Sequence, residues 1–121
     1  MAKKQIKITL KNNDETIENS VLSIIANNTI KYSDNGITTV VKIDENKITM
    51  IRENDDYKIT LVFKEKKSSN GTYFLKENNI NYTLDIYTSV LEYSNSDIKI
   101  EYVLNDDTKV FLLHVEEWYY D

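Results

Sequence analysis

Apolar and polar residues alternate with a period of two along most of this chain. Ile6, Ile8 and Leu10 alternate with polar side chains at the start of the sequence. The same pattern recurs over residues 37–43, 47–52, 57–63, 80–86 and 98–104. Because successive side chains of a β-strand point to opposite faces, this pattern predicts strands with one buried face. Clusters of Asn, Asp and Ser separate the strands and predict tight turns.

Ten or so short strands joined by tight turns predict an all-β meander in which chain neighbours pair. The chain has no proline to protect exposed strand edges, so closure into a barrel is favoured. We therefore expect a single domain over residues 1–121, an antiparallel β-barrel of about eight to ten strands.

Composition and alternation also predict where several strands begin and end. The polar run Lys64–Asn70 predicts a loop before a strand at residues 72–77. A strand over residues 80–86 is followed by a separate short strand at about residues 88–93. Both faces of the last strand, from Thr108 to about Tyr119, are apolar, so it is expected to be covered on both sides.

Residues 14–26 allow two interpretations. Ile17, Val21 and Ile24 have the spacing of one helix face, and Asp14 is placed to cap such a helix. The β-branched neighbours and the turn at residues 26–28 instead favour a hairpin. Periodicity does not separate the two, and we favour the strand.

Composition excludes several kinds of site. There is no cysteine, His114 is the sole histidine, and the two glycines form no phosphate-binding loop. His114 and Glu116 share a strand face, but neither has a recognisable nucleophile or second histidine beside it. Asp55-Asp56 and Asp106-Asp107 lie in predicted turns, where adjacent acids are typical of solvated loops. We expect no catalytic residue, no metal and no cofactor, so an enzyme is the least favoured of three classes, after a binding protein and an interaction module.

The net charge of −5 limits the classes of molecule that the protein is expected to bind. Residues 61–121 carry the whole excess, with eleven acidic and six basic side chains. Such a surface disfavours nucleic acid and would attract a basic protein partner, although modest acidity more often serves solubility. Neither a signal peptide nor an apolar run of membrane-spanning length is present, so we expect a cytoplasmic protein that does not bind membranes.

Residues 37–52 read Ile-Thr-Thr-Val-Val-Lys-Ile-Asp-Glu-Asn-Lys-Ile-Thr-Met-Ile-Arg. This segment resembles the YwiB-like family of small bacterial proteins, the domain of unknown function 1934. The similarity continues through the strand ending at Phe63, through Tyr82–Thr88 and through Ile98–Leu104. It also includes an early hairpin at Ile24–Ser33, which disfavours a helix over residues 17–26.

The resemblance covers roughly residues 20–118, and the spacing of Thr39, Lys42 and Arg52 is its most specific part. It implies a calycin-like, or lipocalin-like, antiparallel barrel and no established activity. The family often has glycines in turns where this chain has Asn or Asp, for example Glu53-Asn54 after Arg52. Asn and Asp tolerate the left-handed conformation, so these turns are expected to survive.

Candidate ligand-binding residues follow from strand parity. Arg52 shares the parity of Ile48 and Met50, so its guanidinium is expected near the barrel mouth, where it could bind an anion. The alternative is a structural ion pair with Glu53, Asp55 or Asp56 in the adjacent turn. Tyr57, Tyr82 and Tyr102 share the apolar parity of their strands, and Tyr32 is a further candidate. Such tyrosines could line a pocket or merely fill the barrel.

Two functional hypotheses follow. The first is a non-catalytic barrel that binds a small apolar or acidic ligand in its lumen, with Arg52, Tyr32, Tyr57, Tyr82 and Tyr102 as binding residues. The second is a protein-interaction module that uses the outer face, the acidic C-terminal half or the aromatic tail at residues 118–120. The tail could instead pack across one end of the barrel as a plug.

Overall fold

The computed structural model describes residues 2–116 and consists of ten β-strands joined by short turns. The strands are β1 (Ala2–Asn12), β2 (Glu15–Ala26), β3 (Thr29–Asp34), β4 (Ile37–Asp44), β5 (Lys47–Glu53), β6 (Tyr57–Phe63), β7 (Lys67–Leu75), β8 (Ile80–Tyr93), β9 (Asp97–Leu104) and β10 (Asp107–Val115). Each strand pairs antiparallel with its chain neighbours, and β1 also pairs with β10, which closes the barrel. The predicted all-β antiparallel meander barrel is confirmed. No described element is a helix long and apolar enough to span a membrane.

Asparagine supplies most of the left-handed turn residues. Positive φ angles occur at Asn13, Asn27, Asn35, Lys66, Asn79, Asn105, Asp106 and Gly36. Short hairpin loops need residues that tolerate this region, and Asn is the non-glycine residue best suited to it. Asn and Asp thus adopt the left-handed conformation in several turns, although Glu53 and Asn54 are not among these residues. We call the end of the barrel that holds the β1–β2, β3–β4, β5–β6, β7–β8 and β9–β10 turns the upper end.

The segment with two interpretations is a strand, and two predicted boundaries were wrong. β7 begins at Lys67, because its polar residues 67–70 pair with β8 through backbone hydrogen bonds that need no apolar side chain. The chain at residues 80–93 is one strand, not two, and the register shifts between Thr88 and Val90. Before this bulge the even-numbered residues point inward, and after it the odd-numbered residues do. The alternation of apolar and polar residues is therefore interrupted although the strand continues.

The last strand is covered more fully on one side than on the other. Phe111, Leu113 and Val115 are buried in the barrel, whereas Leu112 is half-buried and His114 is exposed. The expectation of burial on both faces was therefore wrong for the described part of the strand. Its predicted continuation to Tyr119 lies outside the described residues.

The barrel interior is an apolar core to which every strand except β2 and β7 contributes buried apolar side chains, and those two strands contribute only partly buried apolar ones. The largest fully buried side chains include Phe63, Phe111, Ile6 and Ile100. β7 contributes Gly71, where an added Cβ would overlap the carbonyl oxygen of Thr60. A glycine here lets β7 lie close to β6.

Residues that are paired across successive strands form two oblique rows around the barrel. Each row begins at a buried residue and ends at an exposed one near the upper end. The first row consists of Ser23, Tyr32, Thr39, Arg52, Ile59, Tyr73 and Tyr82 on β2 to β8. The second consists of Thr88, Tyr102, Lys109, Asn12 and Glu15 on β8, β9, β10, β1 and β2. Strands in a barrel tilt against its axis, so residues paired across strands lie at successively different depths.

Candidate functional site

A cavity of about 290 Å³ opens at the upper end of the barrel. We call it the upper cavity, and its apolar wall consists of Leu10, Ile17, Ile59, Leu61 and Leu104. The long β1–β2 hairpin forms one side, and β5, β6, β9 and β10 form the rest. An apolar wall with a few polar groups is the usual composition of a small-molecule site.

Arg52 lines the upper cavity, as its strand parity predicted. It lies between Thr39 and Ile59 in the first row, at the depth where side chains change from buried to half-buried. The expected alternative of an ion pair in the adjacent turn is not observed. Glu53 instead pairs with Lys76, with 2.8 Å between Nζ and Oε2. Within residues 2–116, no carboxylate oxygen lies within 4.0 Å of the Arg52 guanidinium.

Tyr32 and Tyr102 place two buried phenols within the electrostatic reach of Arg52. Burial raises the pKa of Tyr102 to about 12, and the positive charge of Arg52 acts in the opposite direction. Burial also raises the pKa of Tyr32, against the lowering effects of the Thr39 hydroxyl and of Arg52. Both phenols are therefore neutral hydrogen-bond donors at physiological pH.

Tyr102 is held in place by packing. It lines the upper cavity, and its ring lies 4.7 Å from the ring of Phe63, centroid to centroid, at an angle of 59°. Thr88, its register partner on β8, is completely buried. The Thr88 Oγ1 atom has no hydrogen-bond partner among the described residues.

The structure separates Tyr57 and Tyr82 from the other candidate residues. Neither lines the upper cavity, and Tyr82 is 51% exposed. The buried Tyr32 does not line it either, so Arg52 and Tyr102 are the two candidate residues that do. They form an aromatic cluster with Tyr73, whose ring lies 5.7 Å from Tyr57 and 6.4 Å from Tyr82. Tyr82 has the inward parity that the sequence predicted, but it is the last residue of the first row and lies nearest the upper end of the barrel. Parity therefore identified its face and not its depth.

Lys109 is a cavity residue that no pattern in the sequence indicated. It lines the upper cavity from β10, and its register partner on β9 is Tyr102. Both faces of this strand are apolar in the sequence, so the structure was needed to show that Phe111 and Leu113, and with them Lys109, have the inward parity.

The remaining clusters of polar side chains within residues 2–116 have neither the geometry of a catalytic site nor that of a metal site. His114 Nδ1 lies 2.7 Å from Asp97 Oδ1, not beside Glu116, and both side chains are more than half exposed. The Ser96 hydroxyl donates to Asp97 Oδ2 at 2.9 Å, so it does not contact the imidazole as a nucleophile would. The described residues contain no group of three His, Cys, Asp or Glu side chains able to hold a metal ion. The predicted aromatic tail at residues 118–120 lies outside the described part of the chain.

The fold and the cavity define a closed antiparallel β-barrel whose upper cavity is lined by Arg52, Lys109 and Tyr102. A family model described as a domain of unknown function, DUF1934, matches residues 3–114. The chain belongs to this family, as the resemblance indicated. No curated protein matches its sequence.

Among solved structures, the barrel is similar to the crystal structure of the YwiB protein from Bacillus subtilis, with a TM-score of 0.66. The match covers 97% of this chain and 91% of the other at 15% sequence identity. The similarity at this identity is one of fold.

Proposed function

We propose that the barrel binds a small organic anion in the upper cavity without transforming it. The observation that carries the proposal is Arg52, which lines the cavity without a described carboxylate partner. Holding a cation away from bulk water is costly unless an anion or several acceptors compensate it. A bound carboxylate or phosphate would supply that compensation through two parallel hydrogen bonds to the guanidinium.

The other cavity residues suit the same ligand. The buried Tyr102 hydroxyl can donate a further hydrogen bond, and Leu61 and Leu104 can cover an apolar group. A volume of about 290 Å³ equals roughly ten water molecules in the liquid, so the ligand has on the order of ten non-hydrogen atoms.

Native mass spectrometry on protein purified gently from its own host tests for a bound molecule directly. A discrete added mass that disappears on denaturation is the expected result. Its loss from the Arg52→Met variant purified in the same way would assign the molecule to the upper cavity. An added mass that persists in this variant would place the ligand elsewhere.

A titration with benzoate, followed by protein NMR, tests the role of Arg52. We expect Arg52→Met to weaken binding at least tenfold, about the contribution of one charge-assisted pair, and Arg52→Lys to weaken it less. Lys42→Met is the matched control, because it removes an exposed charge from the neighbouring strand β4. Equal affinity in the wild type and in Arg52→Met would contradict the proposal.

The unpaired edge of β2 supports a second candidate, binding of an extended segment from a basic partner protein. β2 pairs with β1 along its length, but with β3 only through Ser23–Ala26, so residues 15–22 have no strand paired on their other side within residues 2–116. Leu22, 60% exposed, and Ile24 lie beside this edge on the outer face. Glu15 and Glu18 lie on the same segment and favour a basic partner, which would compete with Lys7, whose Nζ lies 3.6 Å from Glu18 Oε1. Strand addition is a common mode of peptide binding.

A peptide of alternating lysine and valine tests this candidate. Binding should slow amide hydrogen exchange in residues 15–22, and Glu18→Lys should weaken it. Protection elsewhere, or none, would contradict a role for the β2 edge. The two candidates are separable, because Arg52→Met should leave peptide binding unchanged.

A further inference from the structure

Lys109 brings a second positive charge into the upper cavity from the wall opposite Arg52. In the closed ring of ten strands, β5 and β10 are five strands apart in either direction. Lys109 shares the inward parity of Phe111 and is half-buried. Within residues 2–116, no carboxylate oxygen lies within 4.0 Å of its ammonium group.

The charge balance of the cavity differs from that of the whole chain. Lys11 and Glu15 are exposed at the rim, where their charges offset each other. Arg52 and Lys109 therefore leave the cavity with an excess of two positive charges in a protein of net charge −5. Two cations that face one partly desolvated space repel each other, and a ligand with one negative charge compensates only half of that excess.

We propose that the ligand of the upper cavity is a small organic dianion, such as a phosphate monoester or a dicarboxylate, with an apolar body. This inference rests on the anion-binding function proposed above. Arg52 binds one anionic oxygen pair through its guanidinium, and Lys109 compensates the second charge from the opposite wall. The apolar body lies against Leu61 and Leu104. Lys109 thereby sets the preference for two charges over one.

Two matched probe pairs test the inference and distinguish its two chemical sources. Phenyl phosphate and phenyl sulfate have the same shape, but above pH 7.5 the phosphate carries about two negative charges and the sulfate one. Terephthalate and benzoate form the corresponding carboxylate pair. Affinities are measured by isothermal titration calorimetry at pH 8 for the wild type and for Lys109→Met, Arg52→Met and Lys42→Met. Circular dichroism confirms that each variant is folded.

We expect the wild type to bind at least one dianion about tenfold more tightly than its monoanionic partner. Lys109→Met should reduce this preference to about twofold or less and leave the affinity for the monoanion nearly unchanged. Lys42→Met should keep the preference, and added salt should reduce it. The tighter-binding dianion identifies the phosphate or the dicarboxylate chemistry.

Different results overturn the two proposals. Equal binding of dianions and monoanions by the wild type, with Arg52→Met weakening both, overturns the dianion assignment and leaves the anion site in place. A preference that persists in Lys109→Met removes Lys109 from the site. Absence of binding by all four probes overturns the proposed function and this inference together.

Discussion

Replacing Thr88 with valine should stabilise this protein. The Thr88 side chain is completely buried, and its hydroxyl oxygen has no hydrogen-bond partner among the described residues. A buried polar group without a partner costs about 1–3 kcal/mol relative to the unfolded state, where water solvates it. Valine retains the β-branched shape that suits a strand and replaces the hydroxyl with a methyl group.

The expected gain is at the lower part of this range, because the added methyl must fit a packed interior beside Tyr102. We expect Thr88→Val to raise the free energy of unfolding by about 1–2 kcal/mol. For a chain of this length, this corresponds to an increase in Tm of roughly 4–8 °C.

Urea denaturation followed by circular dichroism measures the change directly. The midpoint should rise while the slope of the free energy against urea stays constant, since the surface exposed on unfolding is unchanged. Thr88→Ser is the matched control, because it keeps the hydroxyl and removes the methyl group. It should lower the stability by about 1 kcal/mol. If Thr88→Val instead destabilises the protein by more than about 1 kcal/mol, the hydroxyl is hydrogen-bonded in the folded protein and the reasoning fails.

Three further predictions concern other parts of the barrel. Gly71→Ala should destabilise the protein by about 2 kcal/mol or more in urea denaturation, because the Cβ meets the carbonyl oxygen of Thr60; a change under about 0.5 kcal/mol would contradict this contact. Because the Tyr102 pKa is raised to about 12 in the folded state, the stability should fall as pH rises from about 10 to 12, and Tyr102→Phe should reduce that fall; an identical alkaline profile in this variant would count against the buried phenol. The Lys76 ammonium group lowers the pKa of Glu53, so Lys76→Met should raise that pKa toward its ordinary value in a carboxyl-detected NMR titration, and an unchanged titration would disprove the pairing.

Much of the fold could be predicted because burial in a strand is a local property. Ile59 and Phe63 face the interior as their alternation indicated, and Asn35 and Asn79 adopt the left-handed conformation expected of turn asparagines. The break predicted after residue 86 was wrong for a reason that alternation cannot reveal. A bulge inserts one residue and exchanges the two faces, so a continuous strand has the pattern of two.

The candidate site was only partly predictable. The parity of Arg52 placed it in the lumen, and its spacing from Ile48 and Met50 sufficed for that. Lys109 was missed because a lysine near a strand end is most often a solvated residue. Its place in the cavity is evident only from its pairing with Tyr102 on the neighbouring strand β9.

The sequence by itself determined most strands and turns, and the face of each side chain where the alternation is unbroken, since these depend on residues close together in the chain. The tertiary structure decided how deep each inward side chain lies and which residues meet. Tyr32 and Tyr82 belong to the same row of register partners, yet one is buried and the other half exposed. Because the strands are tilted, successive residues of the row lie nearer the upper end of the barrel. The tilt is set by the closure of all ten strands and not by any one segment of the sequence.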